Sequence, residues 1–322
     1  MKILILGASG FIGGHLLKFY SKKKDIKVTG VYFKNRPVDF ANANLLKVDL
    51  LERSQIKGLF NGYDVVIQAA ASTTGINDAV SSPAVHVTDN AVMNSLILRE
   101  ASESGIKKFI FFSCTVMYQK EAYPYRDMPV TETDDNLADE IYPTYFGVGW
   151  TKVYIEKMCK FYSITASMKT HCIRHSNIYG PNDKFDPLRS HVIGATIRKM
   201  FESESEPIDV WGDGTEYRDY IYVDDLVDAI NSLVTLENED NFNLWNVGSG
   251  DKTTIRSLVE TVRDLAGKNN REIIFATSKP TAKTGLVLDS GKLFSQTGWR
   301  PKVSLREGLK KTINWYKETC EG

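Results

Sequence analysis

The chain is long enough to bury a full hydrophobic core, and it carries no net charge. Its 322 residues are 42% hydrophobic and 25% charged, with 40 basic residues balancing 40 acidic ones. A neutral overall field favours neither nucleic acid nor an anionic membrane as a partner, and no apolar run is long enough to span a bilayer. The widely spaced Cys114, Cys159, Cys172 and Cys320 predict reduced thiols in a cytoplasmic protein, with no metal site.

Strand-like and helix-like segments alternate through the first half of the chain. Apolar runs predict strands, and amphipathic segments that carry Lys and Glu predict helices. The predicted strands are residues 2–6, 28–33, 44–48, 64–70, 108–113 and 171–175, and the predicted helices include Phe11–Tyr20, Asn90–Ser104 and Thr151–Tyr162. This order predicts an α/β fold with a Rossmann-type, doubly wound parallel sheet. Turn-rich sequence after residue 176 predicts a smaller C-terminal lobe.

A glycine cluster joins the first predicted strand to the first predicted helix. Gly7, Gly10 and Gly13 have the spacing GxxGxxG, in which two glycines let the backbone approach phosphate and the third lets helix pack on strand. The helix N-terminus beside such a turn receives a dinucleotide pyrophosphate. We therefore predict that residues 1–175 form an NAD(P)-binding domain. Its phosphate loop also includes Ser9, Phe11 and Ile12.

The end of the second strand bears on the choice of cofactor. It offers no carboxylate for a ribose 2′-hydroxyl, whereas Lys34 and Arg36 could neutralise a 2′-phosphate. This favours NADP(H), although NAD(H) stays open because both charges would also suit a solvated loop. Further candidate cofactor contacts, each equally compatible with ordinary packing, are Asp49, Leu50, Ala69, Ala70 and Ala71.

Several longer motifs resemble those of one enzyme family. They are GASGFIG, Asn90 in its helix, SNIYGPNDKFDP, SHVIGATIRKM, VWGDGTEYRDYIYVDDLVDAI and the tail LDSGKLFSQTGWRPKVSLREGLKKTINWY. Over nearly its whole length the chain resembles the extended short-chain dehydrogenases/reductases that act as nucleotide-sugar epimerases and dehydratases, particularly the GDP-L-fucose synthases. The resemblance implies that residues 176–322 mainly bind a nucleotide sugar, interleaved with the sheet around 220–250. It also implies a homodimer built from helices near 90–104 and 145–162.

The resemblance also implies roles for individual residues. Asn177 and the 181–185 loop would contact the sugar, Trp211 would lie near the base, and Arg218 would pair with the diphosphate, whose oxygens match a planar guanidinium. Two alternatives stay open: Trp211 as a plain core or rim aromatic, and Arg218 in a salt bridge to Asp219, Asp224 or Asp225. Further candidates are Asn90 and His175 for the cofactor, and Lys184, Phe185, His191, Val192, Arg198 and Asp224 for the substrate.

The sequence departs from this family at the group that transfers a proton. The family places a Tyr four residues before a Lys, one helical turn apart. Here Lys152 is present, but Val148 occupies the Tyr position, and valine cannot transfer a proton. Tyr145 lies seven residues before Lys152 and could substitute only if the local backbone bends; the alternative is that it packs or caps the segment.

A second departure follows the fifth strand, in the segment FFSCTVMY. The family usually has Ser or Thr where this chain has Cys114, and a thiol is a poor hydrogen-bond donor, so Ser113 or Thr115 could take the role if the strand end is rotated. GDP-L-fucose synthases use a Cys in this loop with the His that matches His191. The matching position reads Val116, so double epimerisation is disfavoured while hydride transfer stays plausible. A structural histidine is the alternative for His191.

These observations predict an NAD(P)-dependent oxidoreductase that transfers hydride at sugar C4, on a GDP-hexose or GDP-heptose, in surface-polysaccharide biosynthesis. Lys152 would bind the nicotinamide ribose and lower nearby pKa values, while Thr115, Cys114, His191, Tyr145 or a water would serve proton transfer. One alternative is a nucleotide-sugar epimerase, either a 4-epimerase or one resembling GDP-L-fucose synthase. The other is a non-catalytic sensor that kept the fold after losing its Tyr.

Overall fold

The computed structural model describes residues 1–72, 84–119, 128–186, 190–203, 206–237, 240–279 and 285–320. Within these residues, seven parallel strands form the central sheet in the order β11-β6-β5-β4-β1-β2-β3. The strands are β1 Lys2–Leu6, β2 Lys27–Tyr32, β3 Ala43–Lys47, β4 Val65–Gln68, β5 Lys108–Phe112, β6 Lys169–His175 and β11 Phe242–Val247. The doubly wound parallel sheet predicted from the sequence is confirmed.

Nine α-helices lie among the described residues. They are α1 Phe11–Ser21, α2 Arg53–Ile56, α3 Asn90–Glu103, α4 Phe146–Thr165, α5 Val192–Glu202, α6 Val223–Thr235, α7 Ile255–Ala266, α8 Gly291–Thr297 and α9 Leu305–Cys320. Short 3-10 turns at Thr115–Met117 and Pro143–Tyr145 precede the site-forming segments. The three helices predicted by number are present, and α4 begins five residues before the predicted Thr151.

Alternation along β1 distributes its side chains between two hydrophobic layers. Ile3 and Ile5 pack into the layer that contains α1 and α6, while Leu4 and Leu6 pack into the layer that contains α3 and α4. All four side chains are fully buried. A strand covered on both faces reads as a continuous apolar run, which is why KILIL predicted a central parallel strand.

Three strand pairs outside the central sheet, with the helices packed on them, have a hydrophobic core of their own, and we call this part the smaller lobe. Its strand pairs are β7 Asn177–Tyr179 with β10 Tyr220–Tyr222, β8 Ile208–Trp211 with β13 Ile273–Ala276, and β9 Tyr217–Arg218 with β12 Thr253–Thr254. A hydrophobic cluster joins α5, α7 and α9 beneath these pairs. β11 returns to the main sheet beside β6. The division at residue 175 stays a prediction; only Ser176 separates β6, which lies in the central sheet, from β7, which pairs with β10.

Candidate active site

The glycines between β1 and α1 form a backbone cradle. Gly7 has a positive φ of 78°, and a Cβ placed there would lie 2.6 Å from the Ala70 Cα. A Cβ on Gly13 would lie 2.1 Å from the Gly7 carbonyl oxygen. Gly10, the N-cap of α1, offers no side chain to cap the helix. The cradle therefore admits only glycine at two positions and leaves the N-terminus of α1 open, which fits a dinucleotide pyrophosphate.

The loop after β2 carries the two cations predicted to recognise a 2′-phosphate. Arg36 forms a 2.8 Å ion pair with Asp39, and the Lys34 ammonium lies 5.7 Å from the Phe33 ring centroid. Asp39 thus offsets part of the Arg36 charge, and its charge and hydrogen bond raise the pKa of Arg36. The preference for NADP(H) stays a prediction.

The segment after β3 and the segment after β4 are held by polar contacts that involve their backbones. The Asp49 carboxylate accepts a 3.0 Å hydrogen bond from the Leu51 N–H, and Leu50 is buried in the sheet layer. Ala69 and Ala70 are half-buried, and Ala71 is exposed. The backbone of Ala69 and Ala70 packs directly against the glycine cradle at Gly7.

The Asn90 side chain forms hydrogen bonds with the backbone of two neighbouring segments. Its side-chain oxygen accepts from the Ser72 N–H at 3.0 Å, and its amide nitrogen donates to the Ser72 carbonyl at 2.9 Å and the His86 carbonyl at 2.7 Å. Asn90 thereby ties the end of the β4 loop to the start of α3. The sequence assigned Asn90 to the cofactor; the structure gives it a positioning role beside the predicted cofactor segment.

Lys152 lies on α4, one turn after Val148, and faces the end of β5. Its ammonium donates a 2.7 Å hydrogen bond to the Phe112 carbonyl and lies 4.8 Å from the Phe111 ring centroid. Burial lowers the pKa of Lys152, although the nearby Cys114 and other acidic groups partly oppose this. Burial also raises the pKa of Cys114, which favours the neutral thiol. Lys152 is therefore a held, partly desolvated amine at the carboxyl edge of the sheet.

Tyr145 lies outside the helix that carries Lys152, because α4 begins at Phe146. It ends a 3-10 turn, and its ring centroid is 6.1 Å from that of Tyr142. Both rings pack against the cluster that includes Met117. The contacts support the packing alternative for Tyr145 over a role in proton transfer.

A buried ionic network behind Lys152 was not anticipated from the sequence. Arg174 on β6 is fully buried and contacts Glu156 at 2.7 Å and Asp135 at 2.8 Å. Burial alone would lower the pKa of Arg174, but the charge and hydrogen bonds of Glu156 raise it overall. Glu156 also accepts a 2.6 Å hydrogen bond from Ser113, which is fully buried. Ser113 therefore faces the interior and is unsuited to contact a substrate, whereas the partly exposed Thr115 follows it.

One signal in the sequence could have revealed this network. Glu156 lies four residues after Lys152, which places both on one face of a helix. Arg174 lies near the end of β6, a strand whose central residues are buried, and a buried guanidinium requires carboxylate partners. Together they predict an acid behind the site, although its third member, Asp135, comes from a distant loop.

Two histidines lie near Lys152 at the same edge of the sheet. The Nδ1 of His175, the last residue of β6, is 2.8 Å from the Ser176 carbonyl oxygen. Burial, helped by the charges of Lys152 and His191 and opposed by the hydrogen bond to Ser176, lowers the pKa of His175 to about 4. His191 is the exposed N-cap of α5. The structure thus brings the predicted Lys152, His175 and His191 together.

The predicted sugar loop follows β7. The Asn177 amide donates a 3.0 Å hydrogen bond to the Asp219 carbonyl, which fixes the start of the loop. Lys184 is exposed, and its N–H donates to the Asp183 carboxylate at 2.7 Å. Burial raises the pKa of Asp183, while the charges of His191 and Lys184 oppose that shift. Asp183 is a candidate polar contact that the sequence reasoning omitted.

Two predicted substrate residues hold this loop instead of facing outward. The Phe185 ring packs against Trp315 and Tyr316 of α9, with centroid distances of 5.5 and 4.9 Å. Arg198 on α5 donates a 3.1 Å hydrogen bond to the Phe185 carbonyl. Val192, at the start of α5, packs against the same cluster. The partly buried Phe185 ring thus packs on α9, and its assignment to the sugar stays a prediction.

The other end of the lobe presents Trp211 and Arg218. Trp211 is 53% exposed, and the Lys279 ammonium lies 5.8 Å from its ring centroid, which rules out a plain core position. Arg218 donates a 2.8 Å hydrogen bond to the Tyr217 carbonyl. The carboxylates considered as its alternative partners bind other groups: Asp219 binds Ser249, Asp224 contacts His15, and Asp225 binds Lys302 and Val303.

His15 on the cofactor helix connects the two lobes. Its Nε2 donates to the Pro181 carbonyl at 2.8 Å, and its Nδ1 lies 3.6 Å from the Asp224 carboxylate. The close approach of the His15 ring is the main cause of the lowered pKa of Asp224. Asp224, predicted to touch substrate, therefore helps to join α1 to the sugar loop. The described residues hold no group of His, Cys, Asp or Glu side chains that could bind a metal ion.

Comparison with known proteins agrees with this geometry. The model of the NAD dependent epimerase/dehydratase family matches residues 3–248. The chain is 31% identical to GDP-L-fucose synthase 1 of Arabidopsis thaliana, covering 99% of this chain and 94% of that protein. It is 28% identical to GDP-L-colitose synthase of Yersinia pseudotuberculosis, covering 98% of each. A Thermotoga maritima UDP-glucose 4-epimerase structure with UDP-glucose superposes with a TM-score of 0.86 at 25% identity, covering 99% of this chain and 100% of that one.

Proposed function

The chain belongs to the NAD dependent epimerase/dehydratase family and is an NAD(P)-dependent enzyme, and from that premise we propose that it transfers hydride at C4 of a GDP-linked sugar. The observation that carries the proposal is the retained Lys152, bonded to the Phe112 carbonyl, in a site where Val148 replaces the usual Tyr. The nicotinamide supplies the hydride chemistry when bound. The chain supplies binding, orientation and proton transfer.

The glycine cradle and Lys152 would bind different parts of the cofactor. Gly7, Gly10 and Gly13 accommodate the pyrophosphate at the start of α1, and Lys152 would hydrogen-bond the nicotinamide ribose from α4. Because Lys152 is partly desolvated, its charge acts strongly on nearby hydroxyls and lowers their pKa values. The sugar C4 hydroxyl would lie within this field.

The loop after β5 favours simple oxidation or reduction over double epimerisation. Epimerisation beside a ketone requires an acid and a base that reach the sugar carbons. The loop presents Val116 where a Cys would be needed, and the thiol of Cys114 is kept neutral by burial. A 4-epimerase stays the second candidate, supported by the close superposition on a UDP-glucose 4-epimerase.

The sugar nucleotide is assigned from the relatives and from the lobe chemistry. GDP is favoured because the curated relatives at 31% and 28% identity are named for GDP-linked sugars. Trp211 would contact the base and Arg218 the diphosphate. We assign a hexose or heptose and a role in surface-polysaccharide biosynthesis as part of the same proposal.

We further propose a homodimer formed through α3 and α4. One face of α4 exposes large apolar side chains: Phe146 is 56% exposed, Tyr154 47%, Phe161 58% and Ile164 72%. The Ser95 hydroxyl on α3 contacts the Tyr154 hydroxyl at 3.1 Å, so the two helices present a continuous surface. A second copy would bury this stripe in a four-helix contact. Size-exclusion chromatography with light scattering of Phe161→Glu should then show a monomer.

The proposed location is the cytoplasm. Cys114, Cys159, Cys172 and Cys320 are free thiols, as is usual in a reducing compartment. Among the described residues, no helix combines the length and the apolar character that crossing a membrane requires.

The test of the proposed function follows a labelled hydride. The purified protein is first denatured, and mass spectrometry identifies the nicotinamide and any nucleotide sugar released. Fresh protein is then incubated with NAD⁺ or NADP⁺ and GDP-sugars that carry deuterium at C4. We expect deuterium on the reduced nicotinamide and a keto sugar three mass units lighter than the labelled substrate, because it has lost the C4 deuterium and the hydroxyl proton. Label returning to an inverted C4 would support the epimerase, and no transfer with any GDP- or UDP-sugar would contradict the proposal.

A further inference from the structure

His175 has a fixed tautomer. Its Nδ1 lies 2.8 Å from the Ser176 carbonyl oxygen, and a carbonyl can only accept a hydrogen bond. Nδ1 must therefore carry the proton, which leaves the lone pair of the neutral ring on Nε2. Burial favours this neutral form, because it lowers the pKa of His175 to about 4.

The position of His175 places its ring at the carboxyl edge of the sheet, beside the residues that hold Lys152. His175 ends β6, and its ring centroid is 6.2 Å from that of Phe112 on β5, whose carbonyl receives the Lys152 ammonium. The charged groups that face it are Lys152 from α4 and His191 from α5. On the other side β11 places the apolar Val247 opposite it. A partly exposed imidazole with an accepting nitrogen thus lies among the residues that would surround the sugar C4.

We propose that His175 is the catalytic base that replaces the missing tyrosine, a proposal that rests on the proposed C4 hydride transfer. In the oxidation, the C4–H pair of electrons leaves as hydride to NAD(P)⁺, the C4–O bond becomes a carbonyl, and the hydroxyl proton passes to Nε2 of His175. The resulting imidazolium then releases its proton to water. In the reduction, the same nitrogen donates the proton.

Charge balance explains how a weakly basic imidazole can do this beside Lys152. A proton on His175 would be repelled by the Lys152 ammonium in the free protein. During the oxidation, however, hydride transfer would remove one positive charge from the nicotinamide ring. Proton transfer would add one positive charge to the imidazole. The local charge is thus nearly constant through the reaction, so the low pKa of the free protein does not set the proton affinity of His175 at that moment.

Two matched substitutions separate a base from a structural residue. His175→Asn keeps a donor at the Nδ1 position for the Ser176 carbonyl but has no ring Nε2, and His175→Gln places an amide near Nε2 that is not basic. We expect both to lower kcat for oxidation by about 10²- to 10⁴-fold, the usual share of general acid–base catalysis. Binding of NAD(P)H, measured by fluorescence titration, and the Tm should stay near those of the wild type, and added imidazole should restore part of kcat.

The pH profile provides an independent readout. Wild-type kcat/KM for oxidation should fall on the acid side only near pH 4, because the neutral imidazole is present above its pKa of about 4. Retention of kcat by His175→Asn, or a loss confined to cofactor affinity, would overturn the assignment while deuterium transfer by the wild type leaves the proposed function standing. No deuterium transfer by the wild type would instead remove the proposed function, and this inference with it.

Discussion

At the predicted phosphate end of the site, backbone contacts leave no space for a side chain on Gly7 or Gly13. At the predicted sugar end, Val148 occupies the position where the family has a proton-donating Tyr. The two ends lie at the same edge of one sheet, yet only one departs from the family pattern. Binding of the cofactor depends on the path of the backbone, which tolerates little change. Proton transfer depends on a single polar atom at the right place, which several elements of this fold could supply.

The largest effect is expected from adding a methyl group to the cradle. Gly13→Ala places a Cβ 2.1 Å from the Gly7 carbonyl oxygen, so the backbone must move, at a cost of about 3 kcal/mol or more. We expect the variant to lose measurable NAD(P)H binding and to unfold at a lower temperature. Its control is Gly14→Ala, whose Cβ would meet its nearest atom at 3.6 Å. Gly14→Ala should change the free energy of unfolding by less than about 1 kcal/mol. Equal losses of NAD(P)H binding and stability in the two variants would contradict the steric role of Gly13.

The second prediction concerns the buried network that supports the sugar end. Glu156→Gln leaves Arg174 without its main counter-charge in a fully buried position, which should cost about 3–5 kcal/mol of unfolding free energy. Urea denaturation measures the loss. Glu307→Gln is the control, because its pair with Lys311 is exposed and is worth about 0.5 kcal/mol at most. A small effect at Glu156 would mean that Asp135 alone compensates Arg174.

The third prediction concerns a variant that carries the family's Tyr at position 148. If another group has taken over proton transfer, Val148→Tyr should not raise kcat, and it should match Val148→Phe, which adds the same ring without the hydroxyl. We expect the two variants to agree within about threefold. A kcat of Val148→Tyr more than about tenfold above the wild type would show that the valine is a simple loss and would weaken the case for His175.

The smallest expected effect lies at the junction between the lobes. His15→Ala removes the hydrogen bond to the Pro181 carbonyl, worth about 1 kcal/mol, so the KM for the nucleotide sugar should rise by about fivefold with kcat little changed. His15→Gln, which keeps a donor near the same position, should recover much of this. Identical KM values for the wild type and His15→Ala would show that this contact does not position the sugar loop.

The fold could be predicted from the sequence because its signals are local. The apolar run at 2–6 gave β1 with the same bounds, and helical spacing in Phe11–Tyr20 gave α1 to within one residue. The alternation of strand-like and helix-like segments gave the parallel sheet, and the glycine spacing gave the cradle between β1 and α1. These features depend on residues within a few positions of one another, and short-range periodicity reports them directly.

The site was harder to predict because its side chains are held by distant partners. Arg174 pairs with Glu156 and Asp135, which lie 18 and 39 residues away, and no periodicity links them. The Phe185 ring packs on Trp315 and Tyr316 of α9, and no pattern within the motif around Phe185 indicates these contacts. A motif indicates which segment approaches a ligand, whereas the orientation of each side chain is set by packing from remote parts of the chain.

The packing of Phe185 on α9 also constrains how the protein is made. The cofactor half is complete in sequence long before Trp315 and Tyr316 are synthesised, so it can fold first while the sugar loop still has no aromatic support. The segment around Val130 also lacks a partner until residue 287 has been synthesised, because the Val130 N–H donates to the Val287 carbonyl at 2.8 Å. The partners that support the loop after β7 and the segment around Val130 are therefore the last to leave the ribosome, and a nascent chain that lacks α9 leaves the Phe185 ring without its aromatic contacts.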